Sequence, residues 1–209
     1  MEMWVKYIAV AVISYLLGSL NFAIIFSKIF MKKDVRQYGS GNAGSTNAYR
    51  MMGGKKTLLV MLGDVLKGIA AVVIAGLVFD ELGQFGGLGK MIAGAAVALG
   101  HIFPVYFGFK GGKGVLTIGA VLAFFDVRIL VIALAAFLIC VLITKYVSVG
   151  SIAAATAVSV TMIVFHHNDF ATALIGFLLG AFVIWMHRGN IKRLVEGTES
   201  KFSFKKKKD

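Results

Sequence analysis

Seven long apolar runs, separated by shorter polar and charged segments, divide this sequence. A membrane core about 30 Å thick is crossed by about 20 helical residues, and a helix satisfies its own backbone hydrogen bonds in lipid. The chain is 58% hydrophobic, whereas soluble domains are about 45–50% apolar. The pattern predicts an all-α integral membrane protein with seven transmembrane helices. The runs cover residues 4–27, 57–79, 88–107, 113–125, 129–146, 149–166 and 170–187.

The distribution of basic residues predicts the orientation of these spans. With seven spans, 19 of the 22 Lys and Arg fall on or near one side of the membrane, and Lys6, Lys90 and Arg128 fall on the other. Cytoplasmic loops carry the excess of basic residues in membrane proteins. We therefore expect the N-terminus outside and the C-terminus in the cytoplasm. In so apolar a chain, the net charge of +12 indicates anionic lipid and anionic substrate as partners, and not nucleic acid.

Two polar segments interrupt the apolar pattern on the predicted cytoplasmic side. Residues 39–50 read GSGNAGSTNAYR, and residues 101–114 read HIFPVYFGFKGGKG. Irregular polar backbone beside a membrane is costly unless its peptide groups find partners. Glycine allows backbone N–H groups to converge on phosphate oxygens, and Lys or Arg supplies positive charge. The segments therefore predict Gly-rich cytoplasmic loops that bind an anionic, phosphorylated ligand.

Neither segment is a nucleotide-binding motif, although both look like one. Gly39, Gly41 and Gly44 match the dinucleotide fingerprint, but that motif requires a strand before it and not a membrane span. The second segment has Gly114 where a P-loop carries the hydroxyl that binds magnesium. The four histidines form no ligand set with nearby Cys or carboxylates. We therefore expect no cofactor and no metal.

Taken together, the two segments resemble the signature motifs of the bacterial PlsY family, the acyl-phosphate:glycerol-3-phosphate acyltransferases. Residues 39–50 are similar to the first family motif, GSGNxGxTNxxR, and residues 100–114 are similar to the second, GHxxPVxxxFKGGKG. Residues 145–152 and 187–194 resemble two further family segments. The likeness extends over about the whole chain in span number, motif order and length.

The resemblance implies transfer of a fatty acyl group from acyl phosphate to the 1-hydroxyl of sn-glycerol 3-phosphate. The products would be lysophosphatidic acid and phosphate, in the first acylation step of phospholipid synthesis. It implies a multi-pass protein of the bacterial cell membrane with a cytoplasmic active site, and a soluble enzyme that supplies acyl phosphate as a possible partner. Residues 1–188 would form one transmembrane acyltransferase domain, and residues 189–209 a basic interfacial tail.

The resemblance and the chemistry of the residues together assign a site. The residues assigned to catalysis are Ser40, His101 and Lys113. Those assigned to substrate binding are Gly39, Gly41, Asn42, Thr46, Asn47, Arg50, Lys110, Gly111, Gly112, Ser148, His187 and Asn190. Arg50, Lys110 and Lys113 would neutralise phosphate, and Gly39, Gly41, Gly111 and Gly112 would expose N–H donors to it.

The identity of the base is left open by the sequence. Many glycerolipid acyltransferases pair a His with an Asp four residues later, but the residue four places after His101 is Val105. His101 could be the base or a neutral hydrogen-bond donor to phosphate, and we favour the donor. The phosphate of the acyl donor is then a plausible base. Ser40 has no adjacent base, so we expect it to orient phosphate or hydroxyl and not to act as a nucleophile.

A transporter for a small phosphate ester is the alternative, because the same cations and glycines could form a transit site. A transporter would place polar residues through both leaflets. Here the polar residues are concentrated on the predicted cytoplasmic side, which favours the enzyme.

Overall fold

The computed structural model describes residues 2–201, and these residues are helical apart from short connections. The all-α prediction is confirmed. The predicted tail residues 202–209 lie outside the described part of the chain. Ten α-helices occur in the described residues: α1 Met3–Ser19, α2 Phe22–Met31, α3 Ser45–Met52, α4 Gly54–Val78, α5 Leu88–Ile102, α6 Val115–Phe125, α7 Val127–Thr144, α8 Val147–His166, α9 Phe170–Met186 and α10 Arg188–Val195.

Within residues 2–201, five segments are long and apolar enough to cross a membrane. A sixth is reached if α9 and α10, which meet at a bend of 46°, count as one span. Helix α6 has 11 residues, too few for a full crossing. The multi-pass character is thus confirmed, and the count of seven spans stays a prediction. The five segments are Met3–Met31, Gly54–Val78, Leu88–Phe107, Val127–Thr144 and Val147–His166.

The first apolar segment is not one continuous helix, which the hydrophobic pattern did not predict. Helix α1 ends at Ser19, and the side chain of Asn21 accepts a hydrogen bond from the Ile24 N–H, which caps the start of α2. The Asn21 amide also donates to the Ala43 carbonyl at 3.2 Å. An amide at an N-cap satisfies backbone donors that would otherwise stay unpaired in the membrane. The break therefore ties the first span to the segment at residues 39–50.

The described residues form two compact units, and residues 2–127 make up the first. In this unit α1 packs closely along α5, because glycines remove the side chains between the two backbones. A Cβ atom on Gly100 would overlap the Tyr15 carbonyl, and one on Gly18 would overlap the Val97 carbonyl. This close approach brings the break after α1 next to the C-terminal end of α5, where His101 lies.

Residues 128–201 make up the second unit. Helices α8 and α9 pack together through Gly180, where an added Cβ would lie 2.7 Å from the Ala155 carbonyl. Helix α7 buries few of its side chains, as expected for a helix with lipid around it. Helix α10, at the end of the last apolar run, begins the polar tail.

Candidate functional site

The two polar segments lie against each other in the first unit. The Ala43 N–H donates to the Gly111 carbonyl at 3.4 Å, and the Ala43 carbonyl accepts from Asn21. Residues 39–44 and 108–114, the paired loops, are therefore brought together by direct contacts and by the break after α1. Their proximity is what a shared phosphate site would require.

Arg36 holds the second loop next to the segment that precedes the first. Its Nη1 donates to the Phe107 carbonyl at 2.7 Å and to the Lys110 carbonyl at 3.1 Å. Its Nε and Nη2 donate to the two Asp34 carboxylate oxygens at 3.0 and 2.8 Å. The hydrogen bond from Arg36 holds the pKa of Asp34 below its ordinary value, and the same bond raises the pKa of Arg36. This pair, the Asp34–Arg36 clamp, holds the second loop through charge-assisted hydrogen bonds.

Asp34→Asn should lower the melting temperature at neutral pH, and this difference should disappear in acid. A carboxyl group with a depressed folded-state pKa stabilises the protein above its unfolded-state pKa, here about 3.9, and loses that contribution as the pH falls through the folded-state value. We expect a loss of about 1 kcal/mol at pH 7, or about 2–4 °C. Thermal unfolding of both proteins at several pH values between about 7 and 2 measures the difference.

Glu196→Gln is the control, because Glu196 is an exposed carboxylate 3.8 Å from Lys192. Exposed ion pairs contribute little, so this variant should melt with the wild type at every pH. A wild-type to Asp34→Asn difference that persists unchanged below the Asp34 titration would contradict the clamp.

Asn47, assigned to substrate binding from sequence, organises the first loop in this structure. Its Nδ2 donates to the Val35 carbonyl at 2.9 Å and to the Tyr38 carbonyl at 2.8 Å. Its Oδ1 accepts from the Ser40 N–H at 3.1 Å, and the residue is 1% exposed. Both amide hydrogens are used, so none is left to donate to a substrate. Asn47 therefore shapes the loop that presents Ser40.

The glycine N–H groups also differ from the expectation. Those of Gly41, Gly111 and Gly112 donate to the carbonyls of Tyr38, Ile102 and His101, at 3.0, 3.0 and 3.1 Å. They are not exposed phosphate donors here, and the prediction for these three groups is corrected. Positions 111 and 112 require glycine because His101 approaches the backbone closely there. A Cβ on Gly111 would overlap the His101 carbonyl, and one on Gly112 would overlap His101 Nε2.

Several polar side chains of the two segments remain accessible. Ser40, Thr46, Arg50 and Lys110 are exposed, and Asn42 is partly exposed. Among the described residues, the Arg50 guanidinium makes no ion pair or hydrogen bond, and its Cδ lies beside Gly39. Lys113 lies partly buried in the second loop. These positions suit the predicted phosphate contacts, which stay predictions.

A buried charged cluster lies beneath the paired loops. Lys67 Nζ lies 2.8 Å from Asp64 Oδ1 and 2.9 Å from His101 Nδ1. Asp64 Oδ1 lies 3.4 Å from His101 Nδ1. All three side chains are at most 4% exposed. The sequence-based view that His101 has no carboxylate near it is therefore wrong: the carboxylate comes from α4 and not from the residues after His101.

Asp64 and Lys67 were missed as site residues because both lie inside an apolar run. A signal was present in the sequence. Charged residues within a transmembrane segment are rare, and they usually mark a functional site with a partner. Their spacing of three residues places them on one face of α4, where they pair with each other.

Three assigned residues, Ser148, His187 and Asn190, lie in the second unit, where Glu199 accepts a hydrogen bond from Asn190. Glu199 accepts from Asn190 at 2.6 Å and from Arg193 at 2.7 Å. Burial alone would raise the pKa of Glu199, but hydrogen bonds from Asn190 and Arg193, with a smaller effect from Ser148, lower it below its ordinary value. His187 is buried, and its Nδ1 donates to the Val183 carbonyl at 2.8 Å. The predicted substrate contacts of Ser148, His187 and Asn190 stay predictions.

The fold and the paired loops define a multi-pass helical membrane protein with polar loops built over a buried Asp–Lys–His cluster. The family model for glycerol-3-phosphate acyltransferase matches residues 8–197. The chain belongs to this family, the PlsY family.

Individual relatives agree with this membership. The chain is 43% identical to a glycerol-3-phosphate acyltransferase of Clostridioides difficile, over 96% of this chain and 98% of that one. It is 38% identical to one of Chlorobaculum tepidum, over 96% and 98%. It is also similar to the crystal structure of PlsY, an integral membrane glycerol 3-phosphate acyltransferase, in its glycerol 3-phosphate form: the TM-score is 0.85 and the identity 34%, over 94% of this chain and 96% of that one. For the lysophosphatidic acid form the TM-score is 0.81 and the identity 33%.

Proposed function

We propose that this protein transfers a fatty acyl group from acyl phosphate to the 1-hydroxyl of sn-glycerol 3-phosphate, which yields lysophosphatidic acid and phosphate. The observation that carries the proposal is the family match over residues 8–197, joined to two exposed cations, Lys110 in the paired loops and Arg50 in α3. The relative solved in a glycerol 3-phosphate form and a lysophosphatidic acid form has the same fold. The matching family is one of acyltransferases, which supports the enzyme over the transporter alternative.

In the proposed reaction, the substrate hydroxyl oxygen attacks the acyl carbon and the bond from that carbon to the phosphate oxygen breaks. The hydroxyl proton leaves on the released phosphate, so the donor supplies its own base. An acyl phosphate is a mixed anhydride and is already activated. It needs positioning and charge neutralisation more than a protein nucleophile. Arg50, Lys110 and Lys113 would supply the positive charge, and Ser40 would orient a phosphate or the hydroxyl.

The donor distinguishes this proposal from a general acyltransferase. Purified protein in detergent, given glycerol 3-phosphate and palmitoyl phosphate, should form lysophosphatidic acid, whereas palmitoyl-CoA should give no product above background. The reason is that the paired loops and their cations suit a phosphate, and the chain has no nucleotide-binding motif. Comparable rates with the two donors would overturn the proposed donor. Absence of product with both would overturn the proposed reaction.

We also propose seven spans with the N-terminus outside, in a bacterial cell membrane, so that the paired loops face the cytoplasm. The segregation of basic residues supports this orientation. The short helix α6 would then cross part of the bilayer directly after the second loop.

Single cysteines test this topology in a Cys140→Ala background. Cysteines placed at Gly54 and Gly189 should react with an impermeant reagent only after the cytoplasmic side is opened, and one at Gln84 should react in intact cells. All three positions are exposed to solvent or lipid, so labelling reports sidedness. Labelling of the cysteines at positions 54 and 84 from the same side would contradict the seven-span arrangement.

The partners follow from the proposed chemistry. A soluble enzyme that makes acyl phosphate would supply the donor at the basic cytoplasmic face. Anionic lipid would contact the basic tail from residue 189 onward.

A further inference from the structure

The hydrogen bonds of Lys67 determine which nitrogen of His101 carries a proton. An ammonium group has three N–H donors and no acceptor. Lys67 Nζ donates to the Gly18 carbonyl at 3.0 Å and to the Leu20 carbonyl at 2.9 Å, both at the break after α1. Its two other close partners are Asp64 Oδ1, at 2.8 Å but without hydrogen-bond geometry, and His101 Nδ1, at 2.9 Å. With two donors on carbonyls, the third points to Nδ1, which must then accept.

Asp64 explains why Lys67 is charged. Its Oδ1 lies 2.8 Å from the ammonium as an ion-pair partner but accepts no hydrogen bond from the described residues. A neutral amine at Lys67 would leave the buried Asp64 carboxylate without a counter-charge, which is very costly away from water. Asp64 therefore balances the charge of Lys67, and the three ammonium protons stay on the two carbonyls and on His101.

The other ring nitrogen faces the paired loops. His101 Nε2 lies so close to Gly112 that a Cβ there would overlap it, and the same Cβ would lie 2.8 Å from the Ala43 carbonyl. Nε2 therefore lies where the first loop meets the second. A neutral histidine whose Nδ1 accepts carries its proton on Nε2.

We propose that Lys67, balanced by Asp64, is a positioning residue that holds His101 in its Nε2–H tautomer, so that His101 donates a hydrogen bond to an anionic oxygen of the substrates. In this tautomer His101 has no free nitrogen with which to remove the substrate proton. The inference rests on the proposed function for its ligand, because the anionic oxygen is that of a phosphate or of the carbonyl under attack. The arrangement of Lys67 and His101 stands independently of the substrate.

Nitrogen-15 NMR of the wild-type protein tests the tautomer directly. With labelled histidine, the protein in detergent micelles should show His101 with a protonated Nε2 and an unprotonated Nδ1. His187 is the internal control, because its Nδ1 donates to a carbonyl and it should therefore show the opposite tautomer. A His101→Gln sample identifies the His101 signals. A protonated Nδ1 on His101 would overturn the proposal. This readout needs no substrate, so its failure is distinct from failure of the acyl-transfer assay.

Replacement of the charged pair shows whether Lys67 sets the tautomer. Asp64→Asn with Lys67→Met removes both charges together, so neither is left buried alone. The His101 signals should then change to a mixture of tautomers or to the Nδ1–H form. Unchanged Nε2–H signals in the folded double variant would overturn the role of Lys67. If the double variant does not fold, the wild-type spectrum still decides the tautomer.

Replacing His101 with glutamine or with asparagine distinguishes a hydrogen-bond donor role of His101 from a general-base role. The glutamine amide N–H lies near the position of Nε2 and the asparagine amide N–H near that of Nδ1, and neither amide can act as a base. His101→Gln should stay within about tenfold of the wild-type kcat, whereas His101→Asn should fall by about a hundredfold. His167→Gln, at an exposed histidine, is the matched control and should match the wild type. Equal loss in His101→Gln and His101→Asn would overturn the donor role.

Discussion

Replacing Gly112 with alanine should reduce acyl transfer by about a hundredfold or more while the protein stays folded. The added methyl group would overlap His101 Nε2 and lie 2.8 Å from the Ala43 carbonyl. Neither neighbour can yield easily, because Lys67 holds the His101 ring and Asn21 holds the Ala43 carbonyl. The loops must separate or the ring must turn. A displacement of about 1 Å in an active site can cost about a hundredfold in rate.

The measurement is the initial rate with acyl phosphate and glycerol 3-phosphate, together with thermal unfolding of the same sample. Gly54→Ala is the matched control, since the nearest atom to its added Cβ is Tyr49 Cε2 at 3.6 Å, an ordinary contact. This control should keep the wild-type rate. If Gly112→Ala kept a rate within about threefold of the wild type, the contact between the paired loops and His101 would have no part in the reaction.

The helices were largely predictable from hydrophobicity, because in a membrane the apolar runs and the helices coincide for a single physical reason. Each of the seven runs contains an α-helix in the structure. The break at Leu20 and Asn21 was not predictable in this way. Asn21 is one polar residue within an apolar run, and besides capping α2 it donates to the carbonyl of Ala43, 22 residues later, a contact that only the folded chain brings about.

The site was predictable as a pair of segments but not in its internal contacts. Long motifs with several glycines and cations identified the paired loops. Their glycines were expected to bind phosphate, whereas Gly111 and Gly112 allow backbone and a histidine ring to approach closely. Local sequence cannot separate these roles, because both need the absence of a Cβ atom.

The contacts of Asp64 and Lys67 with His101 also could not be predicted from local sequence. A His–Asp pair at the usual spacing would require an aspartate four residues after His101, and the chain has Val105 there. The partner comes from another helix, 37 residues earlier in the chain, and only the packing of α4 against α5 brings it there. A rule that treats every ion within an apolar run as a functional candidate would have found both residues.

Arg50→Ala should lower kcat/KM for glycerol 3-phosphate by about tenfold to a hundredfold, mostly through KM. Arg50 is exposed in the last turn of α3 and makes no ion pair among the described residues, so its guanidinium can bind an incoming phosphate. A charge-assisted hydrogen bond contributes about 1.5–3 kcal/mol, and about 1.4 kcal/mol corresponds to a factor of ten. The kcat/KM of Arg50→Lys should lie between those of the wild type and Arg50→Ala, because lysine keeps the charge and loses the bidentate geometry. Initial rates over a range of glycerol 3-phosphate concentrations measure both parameters.

Lys55→Ala is the matched control for charge. Lys55 is an exposed cation five residues after Arg50, so its removal changes the net charge of the same segment equally. A specific phosphate ligand predicts a large loss for Arg50→Ala and almost none for Lys55→Ala. A general electrostatic attraction predicts equal, small losses that vanish as salt is raised. Equal losses in the two variants would therefore remove Arg50 from the site, because a guanidinium that binds phosphate directly cannot be matched by a neighbour that only adds to the field.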